Sequence, residues 1–160
     1  MVTTLLTTHH VGGRAGTRTF PSMKYFEKDL VNVLYEADES SISGIKKETH
    51  YLPSKTIILP DCLSGSAGKR KFYIYNNRYF SSLYPLKPEQ TGAYSFDSQF
   101  GWDTDPKALS IVETLTLDTV TLDEVVKREK SENIPSPDFL SLDTQGSELE
   151  ILKGGEFAIR

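Results

Sequence analysis

Apolar and polar positions fall into short runs separated by glycines, prolines and charged clusters, and the period inside each run assigns it. Thr3 to Val11 reads as a strand running into the glycine turn Gly12-Gly13-Arg14-Ala15-Gly16. After Phe20-Pro21, the positions Met23, Phe26 and Leu30 recur at roughly helical spacing. Leu30 to Tyr35 is rich in β-formers and ends on Glu36-Ala37-Asp38. A short helix is expected over 40–48, and Thr56-Ile57-Ile58-Leu59 is a compact apolar run suited to a buried strand. Lys71-Phe72-Tyr73-Ile74-Tyr75 reads as a further strand.

Residues 76–107 hold Pro85, Pro88, Gly92, Gly101 and Trp102 and predict a long, irregular loop. Its aromatic residues, Tyr79, Phe80 and Tyr84 among them, could stack on an acceptor or simply form satellite core. Ser110 to Leu117 alternates as a strand. Thr121-Leu122-Asp123-Glu124 has the form of a capping box, opening a helix to about Lys130. Phe139-Leu140-Ser141-Leu142 is a strand ending at Asp143. Ser147-Glu148-Leu149-Glu150 has the form of a second capping box, with Gly154 and Gly155 as the helix stop. The order is β-α-β-α-β, a β insertion after the third strand, then α-β-α. It predicts an α/β fold: a Rossmann-like, mostly parallel sheet with helices on both faces. In such sheets ligands bind beyond the carboxyl ends of the strands, where strand order reverses. Val11-Gly12, Glu36 and Asp143 stand at such ends.

Composition narrows the class. A chain of 160 residues suggests one domain with a real core. The formal charge of -4 argues against a general nucleic-acid binder, whose affinity needs a basic face. The basic run Lys69-Arg70-Lys71 reads as a solvated turn opening a strand. No run approaches the ~20 apolar residues of a membrane span, and the first residues lack the features of a signal peptide. Cys62, the one cysteine, has no internal disulfide partner, so a reducing, cytoplasmic compartment is expected.

Three places carry candidate chemistry. Glycines at a strand-to-helix turn let a ligand approach the backbone, although this turn is neither G-x-G-x-x-G nor a phosphate-cradling P-loop. Glu36 lies 20 residues after Gly16 (36 − 16), the spacing at which a carboxylate holds a ribose diol. It could instead cap the next helix, but the spacing favours the ribose. Asp143 ends a strand and leads into the polar turn Thr144-Gln145-Gly146-Ser147, where Asp143 and Ser147 could also serve only as caps. His9 and His10 are weaker candidates for a base.

The stretch Leu140-Ser141-Leu142-Asp143-Thr144-Gln145-Gly146-Ser147-Glu148-Leu149-Glu150-Ile151-Leu152-Lys153-Gly154 resembles the signature of FkbM-type methyltransferases. Val120 to Val126, Tyr35 to Asp38, Cys62 to Gly68 and Ser81 to Leu83 resemble further segments of that family, in the same order. The resemblance implies a class I fold that uses S-adenosylmethionine (SAM) to methylate a hydroxyl of a sugar or small molecule. It implies a cofactor site at Gly12, Gly13, Gly16, Glu36, Asp61, Cys62 and Asp143, with Asp61 and Cys62 at the end of the third strand bordering the adenine. Asp143 lies where the family's cleft carboxylate falls and could orient the SAM amino group or the acceptor; where the acceptor hydroxyl must lose its proton, Asp143 is the first candidate base. Gln145 and Glu148 would face the substrate, and no metal is implied. His10 stands where the family has an aspartate, Ala37 replaces its usual proline, and Arg14 adds a cation to the glycine turn. Related proteins continue beyond the Lys-Gly helix with further strands. The chain therefore reads as a single methyltransferase-like domain, 1–160, truncated after Arg160 with its C-terminal strands missing. Two other readings start from the same residues: a degenerate copy without turnover, and a nicotinamide oxidoreductase, which the downstream signature disfavours.

Overall fold

The computed structural model describes residues 6–12, 21–50, 54–87, 107–129 and 134–160. Its principal sheet holds strands β1 (Leu6–Val11), β2 (Leu30–Tyr35), β3 (Lys55–Leu59) and β7 (Phe139–Leu142). They are ordered β3-β2-β1-β7 and every pairing is parallel. A second sheet, ordered β4-β6-β5, contains β4 (Cys62–Leu63), β5 (Gly68–Tyr75) and β6 (Ile111–Val120). β5 and β6 run antiparallel, whereas β4 joins β6 in parallel. The helices are α1 (Glu39–Thr49), α2 (Leu122–Glu129) and α3 (Glu148–Lys153), with 3-10 turns at Pro21–Asp29 and Arg78–Phe80.

The fold is thus mixed α/β with a mostly parallel central sheet, and the β insertion sits between β3 and β7. Parallel neighbours need crossover connections, and these are right-handed. Stepping from β1 to β2 to β3 moves one way along the sheet, while the step to β7 crosses back past β1. That reversal puts α2 on the face opposite α1. Register fixes what the α2 face contains: His9, Val33, Ile57 and Leu140 lie abreast, as do Val11, Tyr35, Leu59 and Leu142. Leu122, Val125 and Val126 of α2 and Ile151 of α3 pack on this face with Val11, Val33 and Tyr35, forming the main core.

β1 is a central strand built largely of polar residues, and Thr7, Thr8, His9 and His10 are all buried. Buried polar groups are tolerable only when bonded. Thr8 Oγ1 donates to Asn32 Oδ1 (2.5 Å), and Asn32 Nδ2 donates to Ser54 Oγ (2.8 Å). His9 Nε2 donates to the Pro135 carbonyl (3.2 Å), while its Nδ1 accepts from the Tyr35 hydroxyl (2.9 Å). A carbonyl can only accept, so these two contacts select the Nε2–H tautomer. Burial lowers the His9 and His10 pKa values to about 4 each; electrostatic repulsion from His10 also lowers that of His9.

Several local expectations hold and several need correction. The first capping box is present: Glu124 N donates to Thr121 Oγ1 (3.1 Å) and Thr121 N to Glu124 Oε2 (2.8 Å). The second is not. Ser147 makes no side-chain cap and instead donates to Thr144 Oγ1 (2.8 Å), while Glu150 reaches across to the second sheet. The segment expected to be helical after Pro21 is a 3-10 turn, and β2 already begins at Leu30. β5 starts at Gly68 and β6 runs on to Val120, both longer than expected, because Gly68 pairs with Thr119 and Val120 pairs with Leu63 of β4. Asp61 and Cys62 do not end β3, which stops at Leu59; Cys62 opens the short strand β4. Within the expected loop, Arg78–Phe80 forms a 3-10 turn and Ser82 bridges Tyr73, while residues 88–106 lie outside the described part.

Candidate active site at the strand ends

The order reversal between β1 and β7 marks a cleft, and backbone hydrogen bonds extend the sheet just past its ordered strands. Gly12 N donates to Tyr35 O (3.2 Å), Glu36 N to Leu59 O (3.0 Å) and Asp143 N to Val11 O (2.9 Å). These bonds hold Gly12, Glu36 and Asp143 side by side at the carboxyl ends of three adjacent strands. Gly12 adopts φ 73°, and a Cβ there would sit 2.2 Å from the Asp143 carbonyl oxygen. Only glycine lets β1 and β7 come this close.

The cleft encloses about 550 Å³, the open solvent at its mouth included. Gly12, Glu36, Asp61, Cys62 and Asp143 all line it, together with Thr144 and Ser147 of the turn after β7. Leu63 and Phe72 of the second sheet, with Leu83 of the segment after it, supply an apolar wall, and Arg78 and Tyr79 stand at the same cleft. Gln145 and Glu148 are not among its lining residues. Gly13, Arg14 and Gly16 lie outside the described residues.

Each carboxylate has a distinct setting. Glu36 is buried, and its Oε1 accepts from Asp38 N (2.8 Å), which orients it. Asp38 caps α1 by accepting from Ser40 N (3.2 Å), and it pairs with Arg78. Burial pushes the Asp38 carboxyl up, but hydrogen bonds from Ser40, Arg78 and Ser41 outweigh it and hold the group below its usual range. Asp61 is gripped by the Arg128 fork, at 2.7 Å from Nη2 and 3.3 Å from Nη1. Asp143 accepts from Gln145 Nε2 (2.8 Å) and has no ion pair among the described residues. Partial burial and the nearby Glu148 charge raise its pKa, against the Gln145 hydrogen bond. Burial pushes the Cys62 thiol up to about 11, so it faces the cleft as a neutral group.

A polar cluster fixes the second sheet against α3. Arg70 Nη1 donates to Glu150 Oε2 (2.5 Å) and Ser64 Oγ (2.7 Å), and the Tyr84 hydroxyl donates to Glu150 Oε1. Arg70 also lies over the Tyr84 ring, 5.1 Å from its centroid. Arg70 is therefore not the solvated turn residue expected from its basic run. Strand alternation is the signal that could have found it, because Arg70 shares a face with the buried Phe72 and Ile74. Arg128 and Ser82 carry no such signal, and only the tertiary fold brings them to the site.

A family model of the methyltransferase FkbM domain matches residues 10–160. The chain belongs to the FkbM methyltransferase domain family. Comparison with curated proteins and with solved structures gave no match.

For an FkbM domain the departure at His10 has a physical reading. The side chain is buried in β1 near the Phe139 ring, with centroids 6.2 Å apart, and it does not line the cleft. With its pKa near 4 it is neutral at physiological pH, so it adds no cation to the site. No helix among the described residues is long and apolar enough to cross a membrane, and those residues hold no cluster of three or more His, Cys, Asp or Glu side chains arranged to hold a metal ion.

Proposed function

We propose that the cleft binds SAM and that the chain methylates a hydroxyl of a sugar or other small molecule. The observation that carries this reading is the convergence of Gly12, Glu36 and Asp143 at the order reversal of a parallel sheet, in a chain of the FkbM family. The donor set suits a cationic cofactor without phosphate. The Gly12 N–H is spent on Tyr35, and the cleft carries carboxylates beside an apolar wall.

Glu36 would hold the ribose hydroxyls, its carboxylate oriented by Asp38 N. Leu63, Phe72, Leu83 and the neutral Cys62 would cover the adenine, while Asp61, held by Arg128, borders it. When bound, SAM supplies a methyl group activated by its sulfonium. The protein's part is alignment, which alone supplies much of such a rate. Asp143 would take the proton of the acceptor hydroxyl, and its raised pKa favours that task. Both sheets wall the cleft, which supports reading the chain as one domain. A cytoplasmic location belongs to this reading, since the chemistry draws on a metabolic cofactor.

Transfer of labelled methyl from SAM to a panel of sugars and phenols tests the reaction. Asp143→Asn is expected to slow transfer about 100-fold, the usual scale for losing a general base. A rate equal to the parent protein would remove Asp143 from the chemistry.

A further inference from the structure

We propose that Glu148 is a positioning residue for the reacting centre: its carboxylate, turned away from the cleft, clamps the Asp143–Ser147 turn and fixes where Asp143 stands. The inference rests on Asp143 being the reacting carboxylate of the proposed function, but the clamp itself can be measured without that reaction.

The turn needs holding. Gln145 sits at φ 58°, a left-handed conformation that costs a non-glycine residue about 1 kcal/mol or more, and Gly146 follows at φ 120°. Two residues over-determine this geometry. Glu148 Oε1 accepts from Thr144 N (2.9 Å) and Thr144 Oγ1 (3.1 Å), and its Oε2 accepts from Gly146 N (3.0 Å). From the β insertion, the buried Ser82 hydroxyl lies 3.0 Å from both the Thr144 and Gln145 carbonyls, to which it donates. Gln145, so placed, returns Nε2 to Asp143 Oδ1 (2.8 Å). The chain of contacts therefore runs from Glu148 through the turn backbone and Gln145 to Asp143. A carboxylate with its oxygens occupied by backbone donors is unsuited to gripping an acceptor, and Glu148 does not line the cleft.

The electrostatics agree with this geometry. Burial raises the Glu148 pKa, but hydrogen bonds within the turn outweigh it, so Glu148 stays ionised below the usual carboxylate range. Its charge is one of the causes that raise Asp143. Glu36 directly after β2, Asp61 between β3 and β4, and Arg78 of the 3-10 turn after β5 are the other charged groups lining this cleft.

The test follows the Thr144, Gln145 and Gly146 amides by NMR through a pH titration of the full chain, in the parent protein and in Glu148→Gln. The inference expects faster hydrogen exchange at the Thr144 and Gly146 amides in the variant, together with loss of the Gln145–Asp143 hydrogen bond, read from the Gln145 side-chain amide resonances. Unchanged exchange at both amides in folded Glu148→Gln would overturn it. Should the variant not fold, the parent protein decides alone. Its Thr144 and Gly146 amides must be protected at neutral pH and lose protection as Glu148 titrates, and unprotected amides would overturn the clamp. Failure of SAM to bind would overturn the proposed function while leaving these readings in force.

Discussion

Gly12→Ala is expected to lower stability by about 2–5 kcal/mol and to remove ligand binding at the cleft. Two costs combine. A side chain at φ 73° is strained by about 1–2 kcal/mol. Its Cβ would also lie 2.2 Å from the Asp143 carbonyl oxygen, which is backbone and cannot swing aside. Relief requires β1 and β7 to separate, against the Asp143 N to Val11 O hydrogen bond that joins them. Overpacking of this kind typically costs a further 1–3 kcal/mol. Gly44→Ala is the matched control. Gly44 lies inside α1, and a methyl group added there would meet nothing within 4 Å, so this change should raise stability by about 0.5–1 kcal/mol. Denaturant unfolding of the three proteins decides the matter, and equal midpoints for Gly12→Ala and the parent would contradict the account of the strand ends.

Acidification from pH 7 to about 4 is expected to remove about 6 kcal/mol of stability through His9 and His10. Both rings are buried neutral with pKa values near 4, against about 6.5 in the unfolded chain. A lowered folded pKa gives stability that is complete above pH 6.5. It is lost as pH falls from there toward 4, because the unfolded state takes protons that the folded state refuses. Each ring contributes about 3 kcal/mol over that interval. The contacts of His9 show why it resists protonation. Its Nδ1 must stay bare to accept from Tyr35, and Nε2 already spends its proton on Pro135. Urea unfolding across this pH range measures the slope. A flat profile would mean that the rings are not buried neutral.

The principal sheet is legible in the sequence because its signals are local. Leu30 to Tyr35 and Thr56 to Leu59 are apolar runs of strand length, and glycine, Glu36 and Asp143 stand at strand ends where such sheets bind ligands. The Thr121–Glu124 cap is legible for the same reason, since its donors and acceptors lie three residues apart. The Ser147–Glu150 pattern misleads because it has a stronger competitor. Glu150 meets the Arg70 guanidinium, 80 residues away in sequence, and a charge-assisted bond outweighs an exposed cap. Resemblance alone points Glu148 at the substrate, whereas its acceptors are taken up by Thr144 and Gly146. Nothing in the spacing of the sequence shows which way a carboxylate turns. Asp61 is similar: the sequence marks it as acidic near a strand end, but only α2 packing reveals Arg128.

Calorimetric titration of the full chain with SAM tests the proposed cofactor site most directly. One site per chain is expected, with Glu36→Gln weakening affinity about 10- to 100-fold, the scale of a lost charge-assisted hydrogen bond. Absence of binding by the folded parent protein, or equal affinity in Glu36→Gln, would contradict it.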